Sequence, residues 1–120
     1  MAELKIDGDE LVLHLTTAEK VEGAHGDLRT PRSAVRAVEV IDDARREAGL
    51  RAGVKIGMRI PGVAEVGIVQ GATRRRFVAV HHDTPRGLRI ALDGTAFDEW
   101  IVGCTDPETV AARLGLPEHP

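Results

Sequence analysis

The chain has 120 residues, 42% hydrophobic and 2% aromatic, with a formal net charge of −3. That length suits one domain over residues 1–120 with a core that needs no staples, and the apolar content excludes a disordered chain. The negative balance, with Phe77, Phe97 and Trp100 as the whole aromatic complement, speaks against a nucleic-acid partner, which would need basic surface and stacking platforms.

The predicted elements begin with a hairpin. Leu4–Asp7 alternates apolar and polar, Gly8-Asp9 supplies a two-residue turn with glycine first, and Leu11, Leu13 and Leu15 share one strand face. Thr16 with Glu19 forms a capping-box pattern for a helical turn through Val21. Leu28–Ile41 reads as a third β region, with Pro31 placing its start at an edge or bulge. Asp42–Gly49 reads as a short capped helix. Leu50–Gly62, punctuated by Gly53, Gly57, Pro61 and Gly62, reads as an irregular loop. Strands are predicted over Val63–Val69, Arg76–His82 and Gly87–Leu92, with a last one ending near Cys104 after the Asp93-Gly94 turn. The final element is a helix: Asp106 as N-cap, Pro107 at the first position, Val110, Ala111 and Leu114 on one face, and Gly115 as stop.

Two segments carry a family resemblance. Thr30–Val38 resembles the P-x-x-x-I/V-x-x-V/I strand entry of bacterial pleckstrin-homology-like (PH-like) domains. Phe97–Leu114 resembles their last strand, Asp-Pro-Glu cap and closing helix, and small proteins of similar pattern occur in actinobacteria. The resemblance implies a mainly β (α+β) fold, a PH-like small barrel or sandwich of about seven strands with a short C-terminal closing helix. Phosphoinositide binding does not follow from it. The first hairpin is Asp7-Gly8-Asp9-Glu10, where lipid-binding members carry basic residues.

Candidate chemistry is sparse. Arg74, Arg75 and Arg76 form the densest basic cluster, read as an exposed turn that contacts an acidic partner or an anion. They sit in a span, Arg29–Arg89, with 13 basic and 6 acidic residues, against 3 and 13 outside it. This asymmetry leaves room for weak self-association. His81, His82 and Asp83 invite a metal reading, but adjacent strand residues point to opposite faces. Cys104 stands alone, so it makes no intrachain disulfide or cysteine zinc site. With His81 or His82 it would be a nucleophile pair, and as a strand residue beside Val102 it reads as a small buried hydrophobe. Trp100 is either core or an interface anchor.

No catalytic residue, metal or cofactor is expected. A cytoplasmic location is expected, since the charged opening residues offer no membrane anchor or signal peptide. The reading that follows is a non-enzymatic module binding a protein or peptide through a sheet edge or the Leu50–Gly62 loop. The alternative is a small-molecule binder or enzyme with a pocket near His81, His82, Asp83 and Cys104.

Overall fold

A computed structural model describes residues 2–16, 27–44, 54–60, 64–70, 75–81 and 83–116. The first three strands, β1 (Glu3–Asp7), β2 (Glu10–His14) and β3 (Leu28–Pro31), form an antiparallel sheet in that order. Asp7 pairs with Glu10, so the β1–β2 turn has two residues, and Gly8 takes the φ of 59° that a primed turn requires. Leu4 pairs with Leu13 and Ile6 with Leu11, which sets the leucine face toward the interior.

The region expected as one β unit, Leu28–Ile41, is two strands in two sheets. Pro31 lacks an N–H and ends the first ladder, and a 3-10 turn at Arg32–Ala34 carries the chain across. The next strand, β4 (Val35–Ile41), has a register shift between Val35 and Ala37. That bulge lets Val35 and Val38, three residues apart, both reach the same core.

The second sheet has six strands: β4, β5 (Val54–Ile60), β6 (Ala64–Gln70), β7 (Arg75–His81), β8 (Gly87–Leu92) and β9 (Glu99–Gly103). Their order is β4-β8-β9-β7-β6-β5. A sequence expectation fails here. Residues 54–60, expected as part of a loop, are the edge strand β5, paired with β6 from Val54↔Gln70 to Ile60↔Ala64. Val54, Ile56, Met58 and Ile60 share one parity, a strand signal stronger than the glycine between them. The strands predicted over Arg76–His82 and Gly87–Leu92 are also not neighbours in the sheet. β7 and β8 do not pair; β9 lies between them, parallel to β7 and antiparallel to β8. β9 is buried along its whole length, and an apolar strand with two covered faces belongs at the centre of a sheet.

The main core lies between the sheets. Leu11, Leu13 and Leu28 on one side meet Phe77, Ile90 and Trp100 on the other. The C-terminal helix α1 (Pro107–Leu114) closes it with Ala111 and Leu114, touching β1 as well as β4 and β8. Its cap is the expected one. Asp106 accepts from the Thr109 N–H at 3.5 Å and from the Thr109 hydroxyl at 2.7 Å, and Gly115 ends the helix at φ 62°. The radius of gyration, 12.9 Å, is near the ~14 Å expected of a compact chain this long.

The fold is therefore mainly β with a short closing helix. Among the described residues there are nine strands rather than about seven, and neither sheet closes into a barrel. The helical turn expected after Thr16 and most of Asp42–Gly49 lie outside the described residues.

Candidate functional site

A cleft of about 190 Å³ opens between β3 and the β8–β9 connection. Residues 27–30 form one wall, and Thr95, Ala96 and Phe97 with Trp100 form the other. The alternation of β3 explains its chemistry. Leu28 and Thr30 point inward and are buried, while Arg29 and Pro31 are exposed. The inward parity of this strand thus places a hydroxyl where the neighbouring strand places leucines. Thr30 is 2% exposed and Trp100 1% exposed. The Thr30 Oγ1 and the Trp100 Nε1 are both buried without a hydrogen-bond partner among the described residues. A buried polar group without a partner is uncommon in folded proteins.

The remaining polar groups of the cleft are engaged. The Thr95 hydroxyl donates to the Phe97 carbonyl at 2.6 Å and accepts from the Phe97 N–H at 3.3 Å. Asp27 accepts from the Leu15 N–H at 2.9 Å and pairs with the His14 ring at 2.9 Å. The Arg29 guanidinium reaches Asp7 and Glu10, both at 3.3 Å, and Asp7 leads in raising its pKa.

Among the described residues β3 is also the end strand of its sheet. The Arg32 N–H donates to the Asp9 carbonyl at 2.8 Å, which fixes the phase of the β2–β3 ladder. Leu28 and Thr30 bond toward β2, so the backbone groups of Arg29 and Pro31 face the outer edge. One segment supplies both a cleft wall and a sheet edge.

The residues singled out in the sequence fall elsewhere. Arg75 and Arg76 belong to strand β7 rather than a turn, and Arg74 lies outside the described residues. Arg76, expected to be exposed, has a side chain only 16% exposed and set 3.6 Å from Glu99. Arg75 sits 4.9 Å from the centre of the Phe97 ring, and its N–H donates to Asp98 at 2.7 Å. His81, Asp83 and Cys104 lie at one end of the six-stranded sheet, where Thr84 bridges back to His81; His82 is outside the described residues. Asp83 is exposed and accepts from the Thr84 hydroxyl at 3.3 Å. Burial, with the Asp106 charge adding to it, pushes the Cys104 thiol up to about 11, so at neutral pH it is a protonated thiol and a weak nucleophile. Arg86 near it is held by a two-pronged pair with Glu108 and by Asp42 at 3.5 Å. Among the described residues no three His, Cys, Asp or Glu side chains stand together as a metal site would require. No helix of the described residues is long and apolar enough to cross a membrane.

Sequence reasoning missed the cleft. The available signal was Thr30 at the inward parity of a strand whose other inward residue is Leu28. Pro31 drew attention to the edge instead. No family model, no curated protein and no solved structure matches the chain.

Proposed function

We propose that the chain is a non-enzymatic binding module that receives a peptide segment of a partner protein along the β3 edge, with one side chain entering the adjoining cleft. The observation that carries this reading is the β3 edge: among the described residues β3 is the end strand of its sheet, and it turns the backbone groups of Arg29 outward beside the cleft. An added strand takes its affinity from backbone hydrogen bonds and its specificity from pockets for alternate side chains. Arg29 and Pro31 supply the edge groups, and a 190 Å³ cleft is below the ~300–1,000 Å³ of pockets for whole small molecules. It is of a size for one side chain. A thiol held as weakly acidic as Cys104 supports binding rather than cysteine chemistry. PH-like kinship is the finer description of the fold under this proposal. It rests on the Pro31–Val38 entry and on the Asp106-capped helix, and the parallel β7–β9 pair is the feature it must accommodate.

The test is selection of a random-peptide display library on the immobilised protein, followed by titration of the selected peptides against Trp100 fluorescence. Selected peptides should shift the emission, and Arg29→Pro, which deletes the edge N–H, should weaken them at least tenfold. The Arg29 amide should exchange more slowly in the wild-type complex, a readout that does not require the proline variant to fold. No enrichment over the bare support, or peptides indifferent to the edge, would overturn the reading.

A further inference from the structure

We infer that the strand received at the β3 edge carries a cationic residue, Lys or Arg, immediately beside an aliphatic one, the cation on the outer face of the three-stranded sheet and the aliphatic side chain at the cleft. The inference rests on the β3 edge being the binding site and names the chemistry of what it receives. The opposite edge of that sheet is occupied: the Leu4 carbonyl of β1 accepts from the Arg113 guanidinium at 3.5 Å, and α1 touches that strand. At β3 the Arg29 N–H and C=O and the Pro31 C=O face outward. Side chains of an added strand alternate between faces. Those opposite Arg29 and Pro31 share the outer face with these exposed residues, and the one between them, opposite the inward-pointing Thr30, turns to the cleft side.

Charge on the outer face decides the cation. The strand registers set Asp7, Glu10 and Pro31 in one row. Asp7 and Glu10 each lie 3.3 Å from Arg29 and, among the described residues, meet no other cation. One guanidinium thus serves two carboxylates, and a negative charge is left over beside the edge. Asp27, at the other end of β3, is engaged by the Leu15 N–H and the His14 ring. Arg29 also shows the reach available on this face, since from β3 it meets a carboxylate of β1, two strands away. A Lys or Arg opposite Pro31 extends the row and meets Glu10 across the same two strand spacings, about 10 Å. An acid there would add to the unmatched charge. The cleft decides the neighbouring residue. Leu28 and Phe97 are buried walls, and the Thr95 hydroxyl is engaged by Phe97, so about 190 Å³ of largely apolar space suits one branched aliphatic side chain. The positions opposite Pro31 and Thr30 are consecutive in the ligand whichever way it runs.

The test selects random display peptides on the full chain at low salt and resynthesises the tightest with its cation as Lys, as norleucine and as Glu. Selected peptides should carry the cation–aliphatic pair. The Lys peptide should bind about five-fold more tightly than the norleucine one, the upper end for an exposed ion pair, and the Glu peptide should bind weakest. The Lys advantage should vanish near ~1 M salt, where charges are screened within ~3 Å. Replacing the aliphatic residue by Ser should weaken the peptide and reduce its effect on Trp100 emission. The double variant Asp7→Asn, Glu10→Gln, altered at two exposed side chains, should bind the Lys and norleucine peptides alike. The peptide series on the unaltered protein decides the matter even if that variant does not fold. Selected peptides without a cation, a series indifferent to charge at low salt, or a Glu peptide that binds tightest would overturn the inference. Such peptides, if they still slow exchange of the Arg29 amide, leave the peptide reading standing, whereas no enrichment at all removes both.

Discussion

At Thr30 the fold places a hydroxyl at 2% exposure with no partner among the described residues. An unsatisfied buried hydroxyl costs about 1–3 kcal/mol, so Thr30→Val, which keeps the shape and removes the oxygen, should stabilise the unliganded protein by about 1–2 kcal/mol. Urea denaturation measures this, and a loss of stability instead would show that the hydroxyl is already bonded in the free protein. Cys104 gives the second prediction at this scale. Its ordinary value of 9.0 is raised to about 11, first by burial and then by Asp106. The thiolate fraction at pH 8 is then about a hundredfold below that of a free thiol, and alkylation, which needs the thiolate, should slow to match. The rate should climb with pH until the thiol titrates near 11. Stopped assays with iodoacetamide across pH check this, and a fast reaction at pH 8 would show an accessible, ordinary cysteine.

At the level of elements, the arrangement of β7, β8 and β9 depends on close backbone approach. A Cβ added at Gly87 would stand 2.2 Å from the Val102 carbonyl oxygen, a backbone atom that cannot yield without moving β9. The same addition at Gly103, its ladder partner, meets nothing nearer than 3.4 Å. Gly87→Ala should therefore destabilise by about 3 kcal/mol and Gly103→Ala by less than about 1 kcal/mol. Thermal melts of the two variants compare one strand pair from its two sides, and equal effects would mean that β9 is not seated against β8 as described.

Across the whole molecule, the outer face of the six-stranded sheet carries a line of alternating charge. Glu39 on β4 pairs with Arg89 on β8 at 3.0 Å, Arg89 reaches Glu99 on β9 at 3.7 Å, and Glu99 meets Arg76 on β7 at 3.6 Å. The Glu99 side chain is 6% exposed, so its charge depends on both arginines. Removing one partner of a buried pair leaves a desolvated charge, and the remaining arginine limits the damage. Arg76→Ala should lose about 2 kcal/mol, whereas Arg75→Ala, which forfeits a ring contact at the sheet end, should lose less than about 1 kcal/mol. Denaturant melts in low and high salt distinguish the two cases. A neutral Arg76→Ala would return that arginine to the exposed surface on which the sequence placed it. The line links four strands brought together from distant parts of the chain, so it acts on sheet order rather than on any single hairpin.

The sequence by itself determined the features that depend on neighbours along the chain. The Gly8-Asp9 turn needs a positive φ, the leucine alternation needs one buried face, and Asp106-Pro107 with Gly115 brackets a helix; each rests on a few consecutive residues. Only the tertiary structure decided what depends on residues far apart. β9 enters between β7 and β8 because a strand buried on both faces, with Trp100 and Val102 on one and Ile101 on the other, gains most at the sheet centre, and no local pattern encodes that choice. Arg76 leaves the solvent because Glu99, 23 positions on, is drawn to its side by the same insertion. The cleft follows the same logic. Thr30 and Trp100 are 70 positions apart, and each looks like an ordinary buried residue until the two sheets bring both to the wall of one cleft.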